Sequence, residues 1–467
     1  MSAYTHDIAI IGAGAAGLVT AGGSAQFGAR VVLFEAGEMG GECLNTGCVP
    51  SKALLAAAHA AQVAATSGGF GVRYAAPKID WAAVNAHVAS AVETIAPHDS
   101  VERFEGFGVE VVRAYARLTG RDTIEADGRT FRAKRIVIAT GSAPAIPPVP
   151  GLNDASYLTN ETIWGVAERP SHLVILGGGA IGCELAQAHR RLGCEVTLIE
   201  ADKLLPRDDP EYVAVVRDAL IADGVTVIEG VKATVVSGAG AVTLADGRTV
   251  EGSHLLVAAG RAPRVAGFGL EAAGVEVSRN GITVDARLRT SNKHIFAIGD
   301  CRDGPRLTHV AGYDAGIAIR NLIFRLPAKA DYSVLPWVTF TDPELAQVGP
   351  TEAEARERWG DKLTVLRSDF GHNDRAVAER RTVGGLKVLA VGGRPVGAAV
   401  CGPAAGEIVQ YWELAIRNKL KLSALSGGMA PYPTFGEISK ATAGSAFTAS
   451  LFSLRVRAIV RLLLRLP

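Results

Sequence analysis

The chain has 467 residues, 48% hydrophobic and 20% charged, with 54 glycines, which is too long for one core and implies about three domains in a glycine-rich α/β protein. Forty-eight basic against 47 acidic residues leave a net charge of +1, which excludes bulk attraction of the whole chain to nucleic acid or anionic lipid. Six cysteines are too few for a disulfide scaffold. With no secretory leader pattern and no apolar run long enough to span a bilayer, a cytoplasmic location is expected, where a disulfide is more often catalytic than structural.

In chain order, residues 7–11 form an apolar strand pattern that runs into a Gly-x-Gly-x-x-Gly turn at Gly12, Gly14 and Gly17, with a small-residue helix predicted over 15–27. A second strand, 30–34, ends at Glu35, at the distance expected for a ribose-binding acid. The glycines permit a tight turn and close approach of a pyrophosphate, whose charge the helix N-terminus stabilises. The stretch from Gly40 to Lys52 then holds Cys43 and Cys48, close enough for a small disulfide loop, with Gly40, Gly41 and Gly47 letting the backbone turn around them. It leads into Pro50 and an alanine-rich helix predicted over 53–65. A structural disulfide needs no such setting, whereas a redox centre gains a thiolate stabilised at a helix N-terminus.

A longer helical stretch, 79–105, is predicted to break at Pro97. Short strands lead to 135–138 and a turn at Thr140 and Gly141, and the proline-rich 143–150 marks a domain boundary. From Leu173 the first pattern recurs, with Gly177, Gly179 and Gly182, a helix, a strand at 195–199 and a closing Glu200. Two fingerprints imply two dinucleotides bound at once. Glu200 is expected to accept hydrogen bonds from a ribose 2′-OH and to repel a 2′-phosphate, which points to NADH; Lys203 and Arg207 nearby keep NADPH open. Gly260 and Arg261 close the second domain, and a strand ending at Gly299 leads to Asp300. That acid either bonds the polyol chain of a cofactor or caps the helix that follows. From Trp337 the pattern becomes that of a separate α+β domain. The predicted segments are 1–149, 150–265, 266–336 and 337–467.

Together these motifs make the chain closely similar to the FAD-dependent pyridine nucleotide-disulfide oxidoreductases, the family of dihydrolipoamide dehydrogenase, glutathione reductase and mercuric reductase. The resemblance runs through the first fingerprint, Cys43 to Lys52, Ala139 to Ser142, the second fingerprint with Cys183 and Glu184, Gly260-Arg261, Gly299-Asp300 and Phe340 to Pro343, as far as about Lys440. It implies an α/β fold with two Rossmann-like dinucleotide-binding domains, for FAD and NAD(P), and a C-terminal α+β dimerisation domain. It also implies a homodimer in which each subunit completes the other's site. It assigns FAD to Gly12, Gly14, Gly17, Glu35, Gly41, Thr140, Gly141 and Asp300, and the nicotinamide dinucleotide to Gly177, Gly179, Gly182, Glu200 and Gly260. Cys48 takes the place of the thiolate against the flavin and Cys43 that of the thiol that attacks substrate. Lys52 and Glu184 take that of an ion pair beside the flavin.

Disulfide reductases of this family carry a His-Pro pair followed by a glutamate, a general acid and its orienter. Here Tyr432 stands in place of the histidine, with Pro433 and Glu437 retained. An imidazole shuttles protons at neutral pH and a phenol seldom does, so poor turnover with lipoamide or glutathione disulfide is expected. Tyrosine there is similar to mercuric reductases. The expected function is therefore an NADH-dependent flavoenzyme delivering electrons to a metal ion, quinone or other acceptor, with no resident metal site. The alternatives are a dihydrolipoamide dehydrogenase- or glutathione reductase-type disulfide reductase, or a non-catalytic flavin redox sensor. Cys183, Cys194, Cys301 and Cys401 are expected to be buried and inert. In the segment 451–467, Arg457, Arg461 and Arg465 share one helical face opposite Val456, Ile459, Val460 and Leu463. This segment is expected to pack on its own domain or across the dimer; peripheral membrane contact is the alternative.

Overall fold

The computed structural model describes residues 4–238 and 240–466; Pro467, the last residue of the predicted amphipathic tail, lies outside them. Two units are present, one of Met1–Gly177, Arg191–Glu195 and Ala233–Asp331, the other of Gly178–Arg190, Val196–Lys232 and Tyr332–Pro467.

The first unit is organised around the strand His6–Ile11, whose last four residues are all buried, as expected of a parallel strand covered on both faces. It pairs in parallel with Val31–Phe34, Ile8 opposite Val31, and with Arg129–Ile138, Ile8 opposite Arg135. Val109–Val112 and Ile295–Ala297 add parallel strands on either side, and Thr123–Ala126 and Arg117–Leu118 continue the sheet antiparallel. On one face Leu18 and Ala21 of the helix Ala15–Gln26 pack with Ala315 and Ile317 of the helix Thr308–Leu322. On the other, Phe34, Ile124, Phe131 and Ile136 form a second cluster with Ile282 and Ile295. Each fully buried Leu, Ile or Phe among them contributes about 1.5–3 kcal/mol. The sheet carries Gly12, Glu35, Ala139 and Ile298 to one edge, where Gly12 N–H donates to Phe34 O at 2.8 Å and Ala139 N–H to Ile11 O at 2.8 Å.

The helix predicted over 53–65 is longer, Cys48–Thr66. Pro50 falls in its first turn, where amides have no intrahelical partner and a missing N–H costs nothing. The predicted break at Pro97 is present: Trp81–Ile95 gives way to a 3₁₀ turn, Ala96–Asp99, before the short helix Val101–Gly106. In the same unit His172–Leu176, the strand before the second fingerprint, pairs in parallel with His254–Val257.

In the second unit Thr197 to Glu200, the end of the strand Glu195–Glu200, runs parallel to Thr226–Glu229. Residues beyond 336 build the α+β layer expected there. A five-stranded antiparallel sheet runs in the order Pro336–Thr339, Glu344–Val348, Arg394–Gly402, Gly385–Val391, Leu363–Asp369. Trp412 of the helix Ala405–Arg417 and Ile438 of the helix Glu437–Leu451 pack into its core. The amphipathic segment forms a helix over Leu454–Leu463, capped by Ser453, and none of its residues is buried. Val456 of its apolar stripe is half-buried while Ile459, Val460 and Leu463 stay exposed, and Arg465 falls beyond the helix end. No helix among the described residues is long and apolar enough to cross a membrane.

Candidate active site

Cys43 lies in a one-turn helix, Gly41–Asn45, and Cys48 is the first residue of Cys48–Thr66. Bare backbone lets this segment close. A Cβ on Gly47 would stand 2.9 Å from Glu42 O and 3.3 Å from Cys43 Cα, and one on Gly41 would stand 2.7 Å from Gly14 Cα. Gly40 N–H also donates to Ala13 O at 3.0 Å, so the cysteine segment lies directly on the first fingerprint. Cys43 is half-buried and Cys48 exposed. A hydrogen bond with Cys48, then burial, then the charge of Cys48 hold the Cys43 thiol well above the usual thiol range. Thr308 Oγ1, at the first residue of Thr308–Leu322, lies 3.3 Å from Cys48 Sγ. Two helix N-termini therefore face this sulfur, both favouring negative charge.

A chain of polar contacts leads from the cysteines to the sheet edge. Glu42 Oε1 accepts from Asn160 Nδ2 and from Arg261 Nη1, each at 2.8 Å. Arg261 Nε donates to Ser142 Oγ at 2.8 Å, and that hydroxyl donates onward to Asp300 Oδ2 at 2.7 Å. Burial raises the Glu42 carboxyl, with the Arg261 guanidinium pulling it back. The helix-capping alternative for Asp300 is overturned, because its carboxylate is turned to Ser142 while the N-cap of the following helix is Leu307, without a side-chain cap. Sequence reasoning missed Glu42, Asn160, Ser142, Arg261 and Thr308 as site residues. Glu42, Ser142 and Arg261 each lie inside or beside a recognised motif; Asn160 and Thr308 carry no local signal.

The two fingerprints use their acids alike. Glu35 Oε2 accepts Ala13 N–H at 2.6 Å and its Oε1 accepts Gly37 N–H at 2.7 Å. Glu200 Oε2 accepts Gly178 N–H at 2.6 Å and its Oε1 accepts Asp202 N–H at 3.0 Å. Each carboxylate keeps lone pairs for ribose hydroxyls. Thr140 Oγ1 donates to Arg264 O at 2.6 Å, which leaves it an acceptor beside Gly141. A floor of bare backbone at Gly14 and Gly41, two acids with spare acceptor capacity and helix N-termini behind Gly14 and Gly179 fit a pair of dinucleotide cofactors. Gly12, Gly17 and Gly260 belong to the first unit with Gly177, and Gly182 to the second with Gly179.

Lys52 Nζ lies 3.4 Å from Ser51 Oγ in the first unit. Glu184 belongs to the second, 4% exposed, its Oε1 accepting Phe340 N–H at 2.9 Å. Tyr432, in the same unit, is 71% exposed and its hydroxyl donates to Asp374 Oδ2 at 2.8 Å. That hydrogen bond, ahead of the Asp374 charge, raises the phenol above its ordinary value. The resemblance implies Glu437 as the orienter of this position, but the phenol's partner is Asp374, while Glu437 Oε2 accepts Thr434 N–H at 3.4 Å. Cys183, Cys194, Cys301 and Cys401 are fully buried as expected, and burial pushes the Cys301 thiol up to about 11 and Cys401 up to about 12. Among the described residues no group of three or more His, Cys, Asp or Glu is arranged to hold a metal ion.

A dithiol laid on one of two dinucleotide fingerprints defines a redox enzyme that works with two dinucleotide cofactors. Residues 6–315 match the pyridine nucleotide-disulphide oxidoreductase family and residues 335–443 its dimerisation domain, and the chain belongs to that family. It is accordingly an FAD- and NAD(P)H-dependent flavoprotein oxidoreductase with a disulfide redox centre, which sets aside the reading as a non-catalytic sensor. The dimerisation match supports a homodimer. The chain is 35% identical to a mercuric reductase of Bacillus cereus over 445 residues, 93% of this chain and 70% of that protein. It is 37% identical to a dihydrolipoyl dehydrogenase of Thermus scotoductus over 457 residues, 93% of this chain and 95% of that one. Its fold is similar to the Cu(II) complex of the HOCl-induced flavoprotein disulfide reductase RclA from Escherichia coli, with a TM-score of 0.84 and 26% identity, covering 93% of this chain and 99% of that one.

Proposed function

We propose that this enzyme passes electrons from NADH through FAD and the Cys43–Cys48 pair to an acceptor that needs no proton from the dimerisation domain, a soft metal ion foremost and a quinone second. The observation that carries this reading is Tyr432, a phenol tied to Asp374 at 2.8 Å where disulfide reductases of the family hold an imidazole. A departing thiolate must be protonated and a metal ion need not be. Bound FAD supplies two-electron transfer between the nicotinamide and the disulfide. Gly12, Gly14, Gly17, Glu35, Gly41, Thr140, Gly141 and Asp300 hold it, and Gly177, Gly179, Gly182, Glu200 and Gly260 hold NADH. Two electrons open the disulfide; Cys48 carries negative charge beside Thr308, and Cys43 releases its proton to solvent as it ligates the incoming metal ion, so that no proton passes to the acceptor. Thiolates are the ligands that select soft cations. The roles of Lys52, Glu184 and Glu437 rest on the family resemblance. The relatives' names supply the acceptors to try first: mercuric and cupric ions.

A second reading, reduction of a small disulfide with Tyr432 as a weak proton donor, is favoured by the dihydrolipoyl dehydrogenase relative. The experiment that separates them starts with anaerobic reduction of the holoenzyme by NADH, followed by alkylation and peptide mapping, which should find Cys43 and Cys48 newly labelled. A panel of mercuric ion, cupric ion, quinones, lipoamide and glutathione disulfide then ranks the acceptors. Faster turnover with lipoamide or glutathione disulfide than with either metal ion would overturn the first reading.

A further inference from the structure

The helix Leu454–Leu463 is the one recognised sequence feature that the redox chemistry leaves unused. It is 10 residues long, about 15 Å, so it cannot cross a bilayer and can only lie on a surface. Its apolar side is open: Ile459 is 57%, Val460 44% and Leu463 56% exposed. Leu451 and Phe452 just before it, and Leu464 and Leu466 just after, are exposed as well. Leaving this many large apolar side chains in water is unfavourable unless something covers them.

Charge says what covers them. From residue 438 onward the sequence contains Lys440, Arg455, Arg457, Arg461 and Arg465 and no aspartate or glutamate. Because the whole chain carries only +1, the positive charge is concentrated here and the remainder is net acidic. At 100° per residue Arg457 and Arg461 flank the side opposite Val456, Ile459, Val460 and Leu463, with Arg455 between the two sides. A protein partner burying the leucines would have to offer an acidic apolar groove, whereas an anionic bilayer offers both terms at once: hydrocarbon for the leucines and phosphate for the guanidinium groups. The match to the family's dimerisation domain spans residues 335–443, and the helix begins beyond it.

We propose that Leu454–Leu463 is a peripheral membrane anchor that seats the enzyme on anionic phospholipid, its apolar side in the acyl boundary and its arginines among the headgroups. Each arginine near the surface is expected to raise partitioning about fivefold, an effect that salt screens.

The test is flotation of the full-length holoenzyme with vesicles of phosphatidylcholine alone and with about 30% phosphatidylglycerol, a composition carrying the surface charge that basic segments sense. The expected result is flotation with the anionic vesicles only, reversed by about 1 M salt. It should be lost on truncation after residue 451, and lowered about tenfold or more by Arg457→Glu with Arg461→Glu, or by Ile459→Ser with Leu463→Ser. Failure of the full-length protein to float with anionic vesicles overturns the proposal whatever the variants do. So does equal flotation of the truncated protein. Conversion of the truncated protein to a monomer, with no flotation of the full-length one, would assign the helix to a subunit contact instead. Flavin content and NADH-dependent thiol release, unchanged in each variant, show that the enzyme remains folded.

Discussion

At position 432 the phenol donates to Asp374 at 2.8 Å and is held above its ordinary value by that bond, so at neutral pH it neither gives up its proton readily nor returns it. Tyr432→His is expected to raise turnover with lipoamide or glutathione disulfide by about 10²-fold, the lower end of what a positioned acid contributes, measured as steady-state NADH oxidation. An unchanged rate would mean that proton supply does not limit disulfide reduction. Gly47 is constrained from the other direction, since a Cβ there would press on Glu42 O at 2.9 Å. Gly47→Ala is expected to cost about 1–3 kcal/mol and to separate Cys43 from Cys48, seen as a lower Tm and slower re-formation of the disulfide. At this scale the sequence was legible where chemistry is local. Cys43, Cys48, Glu35 and Glu200 declared themselves by spacing, whereas Thr308 lies 260 residues from Cys48 and Asn160 lies 118 from Glu42. Contacts of that span arise from the fold and leave no mark in a window of sequence.

Among the elements, the turn bearing Asp300 is anchored by an ion pair that sequence reasoning did not foresee. Arg302 Nε lies 2.6 Å from Asp314 Oδ2, with side-chain exposures of 2% and 0%, and the same oxygen accepts Gly299 N–H at 3.0 Å. The pair fastens the end of Ile295–Ala297 to the middle of Thr308–Leu322, the helix whose first residue faces Cys48. Arg302→Met strands the aspartate without its cation and is expected to cost about 3–5 kcal/mol, read as a lower urea midpoint of the flavin-binding transition. Adding Asp314→Leu should recover part of that loss, because removing both charges removes the stranded one. The fingerprint strands and helices were readable from their apolar runs and glycines. The start of Cys48–Thr66 was not, because Pro50 looks like a helix boundary in sequence and sits harmlessly in the first turn in space.

For the molecule as a whole, stability is expected to depend on pH through Asp208. It is 8% exposed, accepts from Trp337 Nε1 at 2.8 Å, and burial raises its carboxyl from 3.8 to about 6. A raised carboxyl means that the folded state binds the proton more tightly than the unfolded one. Its contribution therefore favours folding at low pH and is lost as pH rises from about 3.8 to about 6. Asp208→Asn keeps an acceptor for Trp337 and should add about 1–3 kcal/mol at pH 7.5 with little change near pH 4, measured by urea unfolding at both. Removal of FAD should lower stability further, by about 4 kcal/mol relative to cofactor at a thousandfold its Kd, visible as a lower Tm of the apoprotein that added FAD restores. The α/β class and the α+β layer beyond residue 336 were legible because each repeats a period of apolar residues. The helix Leu454–Leu463 was legible as well, but what covers it was not, since an amphipathic stripe looks the same whether protein, lipid or water lies against it.

Glu35 and Glu200 each reach back 22 residues to hold a fingerprint amide at 2.6 Å, and this doubles as a warning to anyone re-engineering coenzyme choice. On the proposed NADH reading, trading Glu200 for a neutral or basic residue to admit NADPH would also cut the brace on Gly178 N–H, so a gain in phosphate tolerance would be masked by a slackened loop. A workable exchange would have to replace the brace along with the charge, for instance by a residue whose side-chain oxygen still meets that amide while an arginine is supplied from a neighbouring position. On the reading proposed for Glu200, coenzyme contact and loop brace are one carboxylate, and the two can be altered only as a set.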